Sequence, residues 1–285
     1  MKPSLSKRII LYGLALLAAL YLVVPFLWVA LTSFKPEREV SQLHWIPQEP
    51  TLENYALYFD TDNRSAAVGA AIARQFPRAI ANSLIIGLAV ALINLFFGSL
   101  AAYALARVDF KGSLLLMLFY LGSRSVPGVA IMIPMYLVIR SYGLLDTHLA
   151  VILAHSTFTL PFSVWILKGY FQTVPLELEL AARVDGCSRL GALFRIFLPV
   201  TTPALAAVGI FAFIASWGEF LFALLFTSTL HAKTATVLAS DFAQETQVPF
   251  SLIAAGGVLV ILLPIALAFL FQRFIIHGIS GSVKG

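Results

Sequence analysis

The chain has 285 residues, of which 60% are hydrophobic and 12% are charged, and it carries a formal net charge of +5. Soluble domains are about half apolar and about one quarter charged, so this composition excludes an ordinary soluble fold. The single cysteine, Cys187, excludes a disulfide framework within the chain. Because the basic residues do not gather into a face with interleaved aromatic residues, nucleic acid is not expected as a partner.

Six stretches are apolar over about 20 residues, the length at which a helix crosses a hydrocarbon core of about 30 Å. They cover residues 9–34, 80–106, 113–139, 149–167, 201–227 and 249–272. The first stretch is longer than the apolar core of a signal peptide, which has about 7–15 residues, so we interpret it as a retained helix. The sequence therefore predicts an all-α membrane protein with six transmembrane helices in a single domain, 1–285.

The connection over residues 35–79 is long for a link between two helices. It contains four prolines with aromatic residues between them, so we expect it to be partly ordered and to hold a short surface helix over residues 66–74. Two interpretations stay open, namely an aromatic anchor at the membrane interface and a docking surface for an external partner.

Positive charges flank the spans unevenly. With the N-terminus inside, eleven Lys and Arg residues lie on the inner side and seven on the outer side, and five of those seven share residues 35–79 with six acidic residues. Since inner loops carry the excess of positive charge, this bias predicts that both termini face the cytoplasm. An even number of spans agrees with that orientation.

The cytoplasmic loop over residues 172–199 has helix boundary signals. Pro175 is placed to open a short helix, and Glu177 and Glu179 fall in its first turn, where the helix dipole favours acidic side chains. Gly186 is placed to end this helix with a positive φ. A second short helix follows. Small and apolar residues recur near helical spacing and predict a face that a groove in another protein accepts; they are Leu178, Ala181, Ala182 and Cys187.

At this loop the sequence resembles the inner-membrane permease subunits of ABC importers. Their cytoplasmic loop has the pattern Glu-Ala-Ala, three residues, Gly, nine residues, Ile, one residue, Leu-Pro. Six positions match, namely Ala181, Ala182, Gly186, Ile196, Leu198 and Pro199. The glutamate position holds Leu180, with Glu179 one residue earlier. The resemblance implies a type I permease fold with a coupling helix that contacts an ATPase through Glu177, Glu179, Ala181, Ala182, Asp185, Gly186, Ile196, Leu198 and Pro199.

Further short motifs point to one subfamily. In order along the chain they resemble the second permease of carbohydrate importers, the maltose-permease type called MalG. They are Ser33-Phe34-Lys35-Pro36, Thr51-Leu52-Glu53-Asn54-Tyr55, Asn82-Ser83, Ile133-Pro134-Met135-Tyr136, Trp217-Gly218-Glu219-Phe220 and the tail 278–285. Gly218 departs from the pattern, which more often has Asn there. The resemblance implies uptake of a carbohydrate, whether a mono-, di- or oligosaccharide; another small polar solute stays open as an alternative.

The resemblance also implies a division of labour. The chain has no G-x-x-x-x-G-K-[ST] loop, so ATP and Mg²⁺ are expected on partner subunits. The implied assembly, in the lipid of a bacterial inner membrane, contains a second permease as a heterodimer, two ATPase subunits and an external solute-binding protein. The cytoplasmic tail, 273–285, is expected to contact an ATPase through Ser280, Gly281 and Lys284.

Charged and polar residues inside the predicted spans are candidates for function. A charge in a span usually faces protein or water, so Arg124, Glu219 and the neighbouring Trp217 are candidates for lining a translocation path. A structural contact or a position on the cytoplasmic side stays open for Arg124, and a counter-ion role or an interfacial position stays open for Glu219. Asn94 and His155 are typical of hydrogen bonds between helices.

Two other classes of protein fit the sequence less well. A gradient-driven secondary transporter is expected to show inverted repeats and broken helices with paired charges, and the sequence shows no such internal symmetry. A membrane enzyme needs a catalytic cluster. The five histidines have no metal-ligand spacing and there is no G-x-S-x-G, so no catalytic residue and no metal ligand is predicted.

Overall fold

The computed structural model of the protein describes residues 5–42, 44–60, 65, 67–245 and 247–281, with side chains described between Lys7 and Gln272. All regular structure in these residues is helical. The α-helices are α1 (Leu5–Thr32), α2 (Glu37–Val40), α3 (Glu53–Ala56), α4 (Ala70–Ala73), α5 (Phe76–Arg107), α6 (Ser113–Ser123), α7 (Gly128–Ser141), α8 (His148–Thr173), α9 (Leu176–Val184), α10 (Arg189–Ala192), α11 (Leu198–Val200), α12 (Thr202–Trp217), α13 (Leu221–Phe226), α14 (Ala235–Asp241) and α15 (Phe250–Gly281). A 3₁₀ turn covers Leu57–Phe59 and a π-helical turn covers Leu193–Phe197.

Four of the six predicted spans are long helices without a sharp break. Such helices suit a membrane because they satisfy their own backbone hydrogen bonds in hydrocarbon. The segments long and apolar enough to cross are Lys7–Thr32, Ala70–Arg107, His148–Thr173 and Phe250–Gln272. They lie at the positions predicted from the sequence, with ends shifted by a few residues or by up to ten.

The third predicted span, 113–139, is bent sharply. Helices α6 and α7 meet at 98°, with a break over residues 124–127. Pro127 explains the break, because proline lacks an amide hydrogen and disfavours helical geometry in the residue before it. Arg124 therefore lies at a bend between two half-length helices.

The fifth predicted span, 201–227, is interrupted as well. Helix α12 ends at Trp217 and α13 begins at Leu221. At its other end, α12 meets the segment Arg189–Val200 at 84°. Within the described residues, the chain thus has four helices that can each cross a membrane, or up to six crossings if each bent pair counts as one span.

The described chain divides into two compact units, residues 1–77 with 238–262 and residues 78–237 with 263–285. In the first unit, the Glu37 carboxylate accepts hydrogen bonds from the amides of Phe250 and Ser251, each at 3.0 Å, and so caps the start of α15. The buried Tyr58 hydroxyl donates to the carbonyl of Leu252 at 2.8 Å. These bonds confirm that the long loop is partly ordered.

The expected surface helix over residues 66–74 differs from the structure. Only Ala70–Ala73 form the short helix α4. Ala70, Ile72 and Ala73 are all buried, because α4 packs on the 3₁₀ turn Leu57–Phe59 within the same unit. The prediction of a surface helix is therefore wrong.

The second unit is held together by polar as well as apolar contacts between helices. Asn94 of α5 donates to the Thr159 hydroxyl at 2.8 Å and accepts from the Ser163 hydroxyl at 2.7 Å, and all three side chains are buried. These bonds join α5 to α8, as the sequence predicts for Asn94. Small polar side chains of this kind let membrane helices approach closely and bond to each other.

Candidate functional site

The segment between α8 and α12 forms the two short helices that the sequence predicts. Pro175 stands at the start of α9, and Glu177 and Glu179 occupy its first turn. Gly186 follows the end of α9 with a φ of +84°, the left-handed conformation that glycine adopts most easily. The predicted turn at Gly186 is therefore confirmed, and Asp185 beside it is exposed.

The outer surface of α9 is an apolar stripe. Leu176, Leu180 and Val184 are 52%, 50% and 87% exposed, and their spacing of four residues places them on one side of the helix. Of the expected face, Leu178 and Ala181 are exposed and Cys187 is half-buried, whereas Ala182 is buried. Docking through this face stays a prediction, and the exposed stripe consists of larger side chains. Leu180, which replaces the glutamate of the family pattern, lies at the centre of this stripe. Exposed apolar stripes of this kind mark docking surfaces.

Glu179 points away from the stripe, into the protein. It is 5% exposed, and its Oε1 accepts a hydrogen bond from the Tyr103 hydroxyl at 2.8 Å. Its Oε2 lies 3.9 Å from Nε of Arg107. Among the described atoms, neither Glu179 Oε2 nor Arg107 Nε has a hydrogen-bond partner. Glu179 therefore anchors α9 to α5, and its carboxylate is not available on the outer surface.

Arg107 connects four elements. From the end of α5, its Nη2 donates to the carbonyls of Phe171, at 2.6 Å, and Val174, where the C-terminal end of α8 favours a positive charge. Its guanidinium carbon lies 4.9 Å from the centroid of the Phe197 ring in the π-helical turn. Together with Glu179, these contacts join α5, α8, α9 and the π-helical turn at one buried cation.

The second short helix begins at Ser188, whose hydroxyl accepts from a backbone amide at 3.0 Å. It then passes into the π-helical turn Leu193–Phe197, and such turns recur at functional sites in helices. Ile196 and Leu198 are half-buried and pack on the core between α5 and α8, whereas Pro199 is exposed. The two matched apolar positions thus hold the second helix in place.

Glu219 lies at the break between α12 and α13. Its carboxylate accepts from the amides of Phe222 at 3.0 Å and Ala223 at 3.2 Å, and so caps α13. Nε2 of His155 is 2.9 Å from Glu219 Oε2, and Nδ1 of the same ring is 2.7 Å from the Ser216 hydroxyl. The expected hydrogen bonds of His155 between helices are confirmed, and the Glu219 carboxylate is engaged in holding the break.

The other two candidate path residues have opposite surroundings. Trp217 is 4% exposed, and its ring is stacked on Phe213 with centroids 5.7 Å apart, which places it in the helix packing. Arg124 is exposed; its Nη1 donates to the Phe158 carbonyl at 3.2 Å, and its guanidinium lies 5.1 Å from the Phe162 ring centroid. Of the three candidates, only Arg124 therefore offers an exposed side chain.

Comparison with known proteins places the chain in a family. Residues 94–281 match the family described as binding-protein-dependent transport system inner membrane component. The chain belongs to this family. It is 34% identical over 287 residues to the trehalose/maltose transport system permease protein MalG of Thermococcus litoralis, with 100% of each chain covered. It is 34% identical over 268 residues to the trehalose transport system permease protein SugB of Mycobacterium tuberculosis, with 93% of each covered.

The fold is that of an ABC importer permease. A chain from the crystal structure of a bacterial ABC transporter involved in the import of the acidic polysaccharide alginate superposes with a TM-score of 0.77 at 21% identity, covering 96% of this chain and 99% of that chain. The all-α fold predicted from the sequence is thereby confirmed. The residues that match the family, 94–281, include α9 and the buried anchor of Arg107 and Glu179.

The sequence did not predict the buried anchor of Tyr103, Arg107 and Glu179, and the predicted role of the tail stays untested. Tyr103 was not predicted, and Arg107 counted only as an inner flanking charge; nothing local pairs Tyr103 with Glu179, 76 residues along the chain. Helix α15 continues to Gly281, so Ser280 and Gly281 lie in its last turn. Lys284 lies outside the described residues, and contact of the tail with an ATPase stays a prediction.

Proposed function

We propose that this chain is the transmembrane permease subunit of an ATP-driven carbohydrate importer. In this proposal it pairs with a second permease as a heterodimer and forms half of the translocation path. The substrates in the names of its relatives, trehalose and maltose, support a carbohydrate, and the family description supports dependence on a binding protein. ATP and Mg²⁺ bind to two separate ATPase subunits.

The observation that carries the proposal is the construction of α9. It presents the exposed stripe of Leu176, Leu180 and Val184 outward, while Glu179 and Arg107 fix its inner side to two membrane helices. An ATPase that holds the stripe and moves on ATP binding therefore displaces the ends of α5 and α8. ATP drives transport only through a difference in its binding to the inward and outward states.

The proposed orientation follows from the charges. Both termini and residues 172–199 face the cytoplasm, where the ATPases bind α9 and the tail residues Ser280, Gly281 and Lys284. Residues 35–79 face outside, where the solute-binding protein docks. The positive-inside bias supports this arrangement.

The class of transporter is tested by reconstitution. The chain is purified with the ATPase, the second permease and the binding protein encoded beside it, and the complex is placed in liposomes with ATP inside. We expect maltose or trehalose to stimulate ATP hydrolysis and to accumulate only with ATP. Uptake driven by an ion gradient without ATPase subunits would identify a secondary transporter, and stimulation by a non-sugar solute alone would overturn the carbohydrate assignment.

The role of α9 is tested by placing charge on its stripe. In the double variant Leu180→Asp/Val184→Asp we expect the ATPase to be lost on co-purification, because two carboxylates must be desolvated in an apolar interface. The control is Ile46→Asp, since Ile46 is an exposed apolar residue of the outer loop. Equal recovery of ATPase with the stripe variant and the control would remove α9 as the docking helix.

A further inference from the structure

A stripe of aromatic side chains runs along one side of α8. Phe158, Phe162 and Trp165 are spaced by four and three residues, which places them on one face of the helix. The ring centroids of Phe162 and Trp165 are 5.7 Å apart, and Trp165 is 46% exposed. At a rise of 1.5 Å per residue the stripe is about 10 Å long, a length comparable with a short oligosaccharide.

Rings of two neighbouring helices contact this stripe. Phe211 of α12 lies 4.5 Å from Phe162 between centroids, and the buried Phe222 of α13 lies 4.8 Å from Phe158. Rings held by such contacts are fixed before any ligand arrives, so binding to them costs little side-chain entropy. The stripe is therefore a preformed surface, and its exposed end is the indole of Trp165.

Arg124 stands over this stripe at the bend between α6 and α7. Its contact, the carbonyl of Phe158, is the eleventh of the 26 residues of α8, so the guanidinium lies about 15 Å along the helix, near its middle. A cation at this depth is costly unless it faces protein or water. Because a charge disfavours lipid and no described residue of this chain covers the side chain, we place it on a hydrated path.

The charge of Arg124 is not neutralised within the described part of the chain. The ion pairs found there involve Arg38, Arg74, Arg107 and His155, and not Arg124. Its contacts are one carbonyl oxygen and one aromatic face. Since a guanidinium has five N–H donors, most of its hydrogen-bonding capacity is free for oxygen atoms of a passing solute.

We propose that Arg124, Phe162 and Trp165 form a solute subsite for pyranose rings within the translocation path. The exposed indole of Trp165 packs against a C–H face of the sugar, and Phe162 holds the indole and the Arg124 guanidinium in place. Arg124 donates to the hydroxyl or carboxylate oxygens of the sugar. A few polar groups among aromatic side chains are the usual construction of a small-molecule site. This inference rests on the proposed carbohydrate transport and adds that this subunit contacts the sugar directly.

The subsite is tested by sugar binding to the permease–ATPase complex in nanodiscs, without the solute-binding protein. The probes are maltotriose, which is neutral, and trigalacturonate, which offers carboxylates, each followed by saturation-transfer NMR titration. We expect Arg124→Gln to weaken trigalacturonate by about 10- to 100-fold and maltotriose by about 3- to 10-fold, since hydrogen bonds to charged groups are the stronger ones. Arg124→Lys should restore more of the trigalacturonate affinity than of the maltotriose affinity.

Two further variants complete the test. Trp165→Ala should weaken both sugars by a similar factor, and Arg140→Gln, an exposed arginine at the end of α7, should change neither. Wild-type complex that binds neither sugar, or Arg124→Gln that binds both as wild type, would overturn the subsite. Loss of the second permease on purification of Arg124→Gln would also overturn it, because Arg124 would then pair with that subunit. ATPase co-purification, scored separately, reports on the proposed function.

Discussion

At the scale of single residues, Gly186 sets the direction of the chain between α9 and α10. Its φ of +84° is unfavourable for residues with a side chain by about 1–2 kcal/mol. No heavy atom lies within 4 Å of a Cβ built there, so a substitution acts through backbone conformation and not through a clash within this chain. That separation makes Gly186 a clean test of the turn.

We expect Gly186→Val to lower ATPase co-purification and transport several-fold, because the second short helix is redirected. Gly186→Asn should retain most of both, since asparagine tolerates the left-handed region. Gly169→Ala serves as the control, because Gly169 lies in α8 with equally open surroundings. The measurement is ATPase recovery together with sugar uptake. Wild-type values for Gly186→Val would show that this turn does not couple ATP to transport.

Asp146, in the connection between α7 and α8, is predicted to make stability depend on pH. Its carboxylate accepts from the amides of Ser228 and Thr229 and from the Thr229 hydroxyl. Partial burial raises the pKa of Asp146, but these hydrogen bonds lower it by more, so the pKa lies below its usual range. The stabilisation is therefore complete above the ordinary pKa of about 4 and is lost as pH falls through the lower, folded-state value.

The variant Asp146→Asn should thus unfold at a lower temperature than wild type at pH 7, and the difference should shrink as pH approaches 4 and below. Thermal unfolding of the purified complex at a series of pH values measures it. If the difference in unfolding temperature between Asp146→Asn and wild type stays constant with pH, the charge of Asp146 contributes nothing to stability and only its hydrogen bonds do.

At the scale of elements, α9 depends on the buried contacts of Glu179. Glu179→Gln should retain a bond to Tyr103 but leave the Arg107 charge buried without its counter-charge, a change that typically costs about 3–5 kcal/mol. Tyr103→Phe removes one hydrogen bond to a buried carboxylate and should cost about 1.5–3 kcal/mol. We expect ATPase co-purification to fall in that order of severity.

The control for this pair of changes is Glu53→Gln, an exposed glutamate of α3 outside the coupling loop. Its effect on thermal unfolding of the complex should be close to zero, since an exposed carboxylate loses little on neutralisation. If Glu179→Gln is as stable as Glu53→Gln, the buried pair does not anchor α9.

The elements differ in how far the sequence predicts them. The bounds of α9 and the turn at Gly186 follow from local signals, because Pro175 and Gly186 act on their own backbone. The burial of Glu179 does not follow, since it depends on Tyr103 and Arg107, which only the packing of α5 brings near. The 98° bend after α6 is local in origin, as Pro127 stands beside it. The bend was not predicted, because the residues on both sides of Pro127 are apolar. Hydropathy shows that a segment is long enough to cross a membrane but not whether its helix is straight.

The candidate path residues show the same limit. Charge inside an apolar run predicted two candidates, Arg124 and Glu219, and Trp217 was added as a neighbour. Hydropathy alone does not separate a capping carboxylate or a packed ring from an exposed cation. For Arg124 and Glu219 the separation comes from partners on α8, which lie 34 and 64 residues away in sequence, whereas the α13 amides that Glu219 caps are only three and four residues further along. Polar residues in spans are therefore predicted as a class, and their individual roles require the packing.

At the scale of the whole molecule, the topology depends on the bent pair α6 and α7. If the pair crosses the membrane, three crossings separate residues 35–79 from residues 172–199, and the two segments lie on opposite sides. If the pair enters and leaves on one side, two crossings separate them and they lie on the same side. The coupling proposal requires the first arrangement, because the ATPase and the solute-binding protein act from opposite sides.

Cysteine labelling in intact cells decides between these arrangements. Cys187 is the only cysteine in the chain, so Cys187→Ser gives a background without thiols. Single reporters are then placed at Glu49, which is 68% exposed in the loop over residues 35–79, and at the exposed Asp185. We expect Glu49→Cys to react with a membrane-impermeant thiol reagent added outside, and Asp185→Cys to react only after the cells are permeabilised. Labelling of both from outside would make α6 and α7 a re-entrant pair and would place α9 where no ATPase reaches it. Labelling of Asp185→Cys alone would invert the orientation that the positive charges predict.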